Sequence, residues 1–214
     1  MNILFVLAHP DDESYGPAGT IANLSINHTV LVKILCNGAR PGAEHVAVNR
    51  QLALSRACAM LGADVVHGGV PDLGLNYRYA AQEIERTIAY FAPTAVYTNN
   101  ISDINADHRV VAEACLIACR PKPTCGVREL YFSEIVSSTS WSFNQLQPAF
   151  IPNMYVDITD TIDLKRQALE LYETETYVYP DARSVEATLA LAKYRGSQVG
   201  MEYAEAFNQV FRLE

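Results

Sequence analysis

Apolar positions along this chain follow two alternating rhythms. Residues 3–8 are short and continuously apolar, which predicts a strand buried on both faces. Residues 29–36 are β-branched and apolar and predict a second strand. Residues 64–67, 94–98 and 129–136 predict three more, and 154–158 a short sixth. Between these runs the period lengthens. Residues 18–25 predict a helix entered through Pro17, whose fixed φ suits a first turn. Residues 45–61 carry Val46, Leu52, Leu54, Ala57, Met60 and Leu61 at helical spacing, and Gly62 ends that helix. Residues 80–91, 107–118, 159–174 and 185–193 predict further helices, with Pro93 stopping the first of them. Residues 203–211 fit neither rhythm. The polar and aromatic stretch 137–152 has no period and is long for a connection, a property often tied to function.

Strands alternating with helices predict an α/β fold with a mostly parallel sheet and right-handed crossovers. No repeat or low-complexity tract interrupts the 214 residues, and the P-K-P-T-C-G run at 121–126 reads as a connecting loop. Residues 1–214 are therefore expected to form a single domain.

Composition narrows the function classes. A formal net charge of −8 argues against a nucleic-acid or anionic-membrane partner, since both require a basic face. No stretch approaches the length of a membrane span, and the apolar run at the N-terminus stops too early for a secretory peptide. A cytoplasmic protein is expected. The five cysteines are odd in number and contain no C-x-x-C, so they read as small buried thiols of a reducing compartment.

The chemistry concentrates at A-H-P-D-D-E, residues 8–13, directly after the first strand. In open α/β sheets ligands bind beyond the carboxyl ends of strands. Four ionisable side chains packed there repel one another unless a cation gathers them. His9 and Asp12 suit a divalent metal, and zinc accepts this mixture of imidazole and carboxylate. The run N-N-I-S-D-I-N-A-D-H-R, residues 99–109, follows the fourth strand. In a sheet of order 3-2-1-4-5 the first and fourth strands are neighbours, which brings His108 to the same place as a third ligand. Asp11 is then left to act as general base on a water molecule. The competing readings are plain ones: the acidic cluster caps the next helix, and His108 merely opens its own. His28, His45 and His67 read as ordinary residues flanking turns and elements.

These motifs resemble the PIG-L/LmbE family of zinc-dependent N-deacetylases, and the likeness extends over essentially the whole chain. A-H-P-D-D-E carries it, together with G-P-A-G-T at 16–20 and N-A-D-H at 105–108. The resemblance implies a Rossmann-like, LmbE-like three-layer sandwich. It implies removal of an acetyl group from an N-acetylglucosamine-type sugar, free, nucleotide-linked or conjugated. It implies His9, Asp12 and His108 on zinc, or on another divalent ion, with Asp11 as base. The family's second motif is H-P-D-H, so Asn105 stands where a histidine helps the oxyanion; as a neutral amide it still donates a hydrogen bond. Arg50 and Asp72 match family substrate contacts. Y-P-D-A-R-S at 179–184 and the R-G-S-Q-V-G segment from 195 are similar to one branch of the family, which implies that Arg183 and Arg195 line the site; a structural ion pair is the alternative for each. Trp141, in S-S-T-S-W, offers a flat face to a sugar or packs in the core. Family members form dimers to hexamers, so a homo-oligomer stays open. An amidase that removes a larger acyl group shares the same chemistry. A nucleotide-binding module would want G-x-G-x-x-G, and G-P-A-G at 16–19 does not supply it.

Overall fold

In the structure, a computed structural model, residues 1–143, 145 and 149–214 are described. Within the connection 137–152, positions 144 and 146–148 lie outside them. Seven strands form one sheet in the order β3-β2-β1-β4-β5-β7-β6. The strands are β1 (Asn2–Leu7), β2 (Thr29–Ile34), β3 (Asp64–Val66), β4 (Ala95–Asn99), β5 (Glu129–Ser133), β6 (Met154–Asp157) and β7 (Ala204–Arg212). The first five are parallel, in the expected order, while β7 runs antiparallel to both β5 and β6.

The pleat explains the layers. Alternate residues of a strand face opposite sides. Ile3, Phe5 and Leu7 join one apolar cluster with Ile21, Leu54, Cys58, Leu61 and Tyr172. Leu4, Val6 and Ala8 join a second with Ala80, Ile84, Val111 and Cys115. Helices α2 (Ala18–Ser25), α3 (Glu44–Leu61) and α6 (Ile162–Glu170) thus cover one face, and α4 (Tyr77–Phe91) and α5 (Ala106–Ala118) the other. The result is the three-layer α/β architecture that the alternation predicts. Each large apolar side chain so buried stabilises the fold by roughly 1.5–3 kcal/mol.

Several boundaries differ from expectation. The four-residue helix α1 (Asp12–Tyr15) occupies the motif itself. Helix α4 begins one turn before residue 80, because Asn76 caps it by accepting from the Tyr79 N–H. The predicted strand 129–136 ends at Ser133, and 3₁₀ turns shape Ser140–Ser142 and Thr159–Thr161. Helix α6 stops at Glu170 rather than near 174, and α7 (Val185–Ser197) extends past Lys193. Residues 203–211, without an assignment from sequence, form most of β7.

Strand β7 is fastened to the motif by a buried ion pair. Lys165 on α6 donates to Glu205 Oε1 at 2.8 Å and to the carbonyls of Ser14 and Gly16. Glu205 in turn accepts the N–H groups of Gly19 and Thr20, otherwise orphaned at the start of α2. Both side chains are almost fully buried. Removing one partner strands the other charge, so Lys165→Met is expected to cost about 3–5 kcal/mol. Urea unfolding of the variant beside wild type measures it; a loss below about 1 kcal/mol, the size of a surface pair, contradicts it. Among the described residues no helix is long and apolar enough to cross a membrane.

Candidate active site

The site lies where β1 and β4 deliver their carboxyl ends side by side. Residues 8–13 turn sharply there. Asp11 adopts φ 126°, a conformation costly for a residue with a side chain. Its surroundings hold it. The Asp11 N–H donates to Glu13 Oε2, and its carbonyl accepts from the N–H groups of Ser14 and Tyr15. Glu13 is fully buried, and burial pushes its carboxyl up to about 7, although hydroxyl donation from Tyr172 and Ser14 works against that.

This turn aims His9 and Asp12 at His108, which sits in the first turn of α5. One ligand atom from each lies within 4.8 Å of the others. His9 Nδ1 is 3.2 Å from His108 Nε2, and His108 Nε2 is 3.2 Å from Asp12 Oδ1. The opposite nitrogen of each ring meets its own carboxylate. His9 Nε2 is 3.0 Å from Asp107 Oδ2, and His108 Nδ1 is 3.0 Å from Asp103 Oδ2. A ring that gives its proton outward to a carboxylate presents a lone pair inward, the usual arrangement of metal-ligating histidines. Asp12 is oriented too, since Oδ2 accepts from the His9 N–H and from Asn99 Nδ2.

The field fits a cation as well as the donors do. Burial works to raise the Asp12 carboxyl, yet the facing His108 and His9 rings hold it well below the carboxylate range. Burial works to depress His108, yet Asp12 and Asp103 push it well above the ordinary histidine value. The cluster therefore favours positive charge at its centre. The buried His9, Asp12 and His108 fit a divalent ion of zinc type by donor chemistry.

The other sequence-predicted residues divide. Arg50 and Arg183 both reach Asp11: Arg50 Nη2 donates to Asp11 Oδ2 at 2.7 Å, and Arg183 Nη2 at 2.6 Å. Arg50 also binds the carbonyls of Pro10 and Gly38, and Gly38 has φ 86° with the space of a Cβ crowded by Pro10 and the Arg50 Nε. Arg183 stacks over the Tyr15 ring at 4.4 Å. Asp72 lies beside them, its Oδ1 accepting from the Gly38 N–H and standing 3.9 Å from His9 Nε2. Asn105 caps α5 with its oxygen on the Asp107 N–H, and among the described residues its amide N–H groups have no acceptor. Trp141 is 44% exposed, so it is not a core residue. Arg195 is not brought to the cluster. It forms a two-pronged ion pair with Glu134, at 2.7 and 2.9 Å, the structural alternative of the two readings.

Sequence reasoning passed over Asp103, Asp107 and Asn99. Asp107 directly precedes His108 in the second motif, which was the available signal. Asp103 also collects hydroxyl donors from Ser138 and Thr139, so the start of the long 137–152 connection packs against the site.

Comparison with known proteins gives the family. Residues 4–119, more than half of the chain, match the family model described as PIG-L, GlcNAc-PI de-N-acetylase, and the protein belongs to that family. A protein of Bacillus subtilis (strain 168) named "Probable N-acetyl-alpha-D-glucosaminyl L-malate deacetylase 2" is 26% identical over 198 residues, covering 82% of this chain and 83% of that one. The N,N'-diacetylchitobiose deacetylase from Pyrococcus horikoshii superposes with a TM-score of 0.80 at 18% identity, covering 98% of this chain and 83% of that one. GalB of Pseudomonas putida KT2440, a 4-carboxy-2-hydroxymuconate hydratase, superposes with a TM-score of 0.79 at 21% identity, covering 100% of this chain and 97% of that one. The structural likenesses establish the fold.

Proposed function

We propose that the chain, as one domain, is a metal-dependent hydrolase that removes the N-acetyl group from an amino sugar of N-acetylglucosamine type. The observation that carries this is the convergence of His9, Asp12 and His108, each imidazole backed by its own carboxylate, with Asp11 in the same turn as His9 and Asp12. Zinc held by these three residues would supply Lewis acidity for the amide carbonyl and for a water nucleophile. Asp11 takes the proton of the attacking water and passes it to the leaving amine, so that amide and water become acetate and amine. Both guanidinium contacts fall on its Oδ2, and among the described residues Oδ1 has no hydrogen-bond partner. Asn105 donates an amide N–H to the carbonyl oxygen as it gains charge. Arg50 and Arg183 fix Asp11 and present cationic edges to the polar groups of a sugar conjugate, Asp72 accepts from its hydroxyls, and Trp141 offers an apolar face.

The likeness to a hydratase shows that this fold hosts more than one reaction. The family and its named deacetylase relative support N-deacetylation. Metal analysis followed by a screen of N-acetylated sugars and sugar nucleotides tests the reading. Equal amounts of acetate and primary amine are expected, and longer acyl amides are expected to react more slowly. If metal-loaded protein frees no amine from any of them, the reading fails.

Asp103 provides a sharper check. Replacing a carboxylate behind a ligating histidine typically costs 10–100-fold in metal affinity. Asp103→Asn is expected to weaken zinc binding by about that factor, read by competition with a chelator, while His108 stays in place. Unchanged affinity removes Asp103 from the metal's support.

A further inference from the structure

The His9 ring has two functional sides, and only Nδ1 faces Asp12 and His108. On the Nε2 side, His9, Cys36 and Asp72 form another group in which one ligand atom from each lies within 4.8 Å of the others. Asp107 backs the same ring nitrogen, 3.0 Å from His9 Nε2. We infer that His9 Nε2, Cys36 and Asp72 form a second cation site, which takes a thiophilic divalent ion such as zinc when the ion is in excess.

The placement is built into the backbone. Cys36 lies two residues past the end of β2, its N–H donating to the Ala8 carbonyl at 2.8 Å. It bridges to Val70, which brings the 70–73 segment alongside. Asp72 is then pinned from both ends, by its N–H to Ala39 and by its Oδ1 accepting from Gly38. The Leu73 N–H donates to Asp107 Oδ2. Cys36 is completely buried, and among the described residues it is the one thiol that belongs to a group of potential metal ligands. A sulfur, an imidazole nitrogen and a carboxylate make three donors that zinc accepts, with water as a fourth. Ligand atoms around zinc stand about 3–4 Å apart, so the group needs to contract only slightly.

Binding releases two protons to solvent, one from the thiol and one from the ring nitrogen that was donating to Asp107, for one divalent cation gained. It also removes the ring proton through which Asp107 orients His9, and it takes Asp72 away from Arg50. The second cation is therefore inhibitory, a consequence that rests on the deacetylase reading, whereas the site itself does not.

Cobalt(II) is the probe, added to the metal-free protein. Wild type is expected to bind two equivalents and to develop a thiolate-to-cobalt charge-transfer band in the near ultraviolet. Cys36→Ser and Cys36→Ala are expected to bind one equivalent and to lack the band. X-ray absorption at the cobalt edge of the doubly loaded wild type should show one sulfur neighbour, a readout that does not depend on either variant folding. Absence of the band and of sulfur, or a band that survives in both variants, overturns the site. Zinc titration of turnover reads the consequence: activity falls as the second equivalent binds, and a flat or rising profile overturns inhibition alone. Amine release by the singly loaded wild type tests the deacetylase reading separately.

Discussion

His108→Ala protein is expected to leave gel filtration without stoichiometric metal and to hydrolyse N-acetyl sugars no faster than background. The ring is buried between two carboxylates, 3.2 Å from Asp12 and 3.0 Å from Asp103, and no other imidazole in the described structure reaches Asp12 besides His9. Removing it takes one of the three proposed ligands and leaves two buried anions facing each other. Breaking such an arrangement costs about 3–5 kcal/mol, so stability must be measured with activity. A thermal melt separates the effects, because a folded variant without metal isolates the ligand role. Asp103→Asn is the companion, since it disturbs the same ring without removing the ligand atom. Full metal content in folded His108→Ala protein would falsify the ligand assignment.

Much of this was readable before any coordinates. Buried parallel strands announce themselves as continuous apolar runs, and β1, β2 and β4 were placed within one or two residues. Once β1 and β4 are neighbours, residues almost a hundred positions apart must meet, so His9 and His108 followed from topology. Strand β7 was not readable, for a definite reason. Its inward position 205 is a glutamate, which breaks the apolar alternation, and Glu205 is tolerated because Lys165 and the first turn of α2 satisfy it. The early end of α6 has a similar origin. Just past the end of the helix, Tyr172 donates to Glu13, a contact across 159 residues that no local pattern encodes. Asp103 and Asp107 were hidden differently. An acid near a ligand looks like any helix-start acid until the ring it orients is located. The two arginines on Asp11 show the same limit: Arg50 and Arg183 looked like substrate contacts, and the structure adds that they hold the proposed base. Arg195 looked the same in sequence and differs only because Glu134 is within its reach.

Asp11→Asn is expected to keep the metal and to lower kcat by about 10²–10⁴-fold, the range a positioned general base contributes. Asparagine is the informative replacement. It has the shape of aspartate and is among the side chains best suited to positive φ, so the strained backbone at 126° survives. Its amide oxygen still accepts from Arg50 or Arg183, but it takes no proton. The KM for substrate should change much less than kcat, because Arg50 and Arg183 remain on the same elements. Asp11→Ala is expected to do worse in both respects, since it removes the shared partner of two guanidinium groups and frees them to shift. The measurement is steady-state amine release by both variants with metal content determined on the same samples. Near-normal kcat in fully loaded Asp11→Asn would assign the proton to another group. A kcat loss matched by an equal loss of metal would mean that the turn, rather than the base, had failed. The predicted signature is a large kcat loss at full metal occupancy, which a purely structural role for Asp11 does not produce.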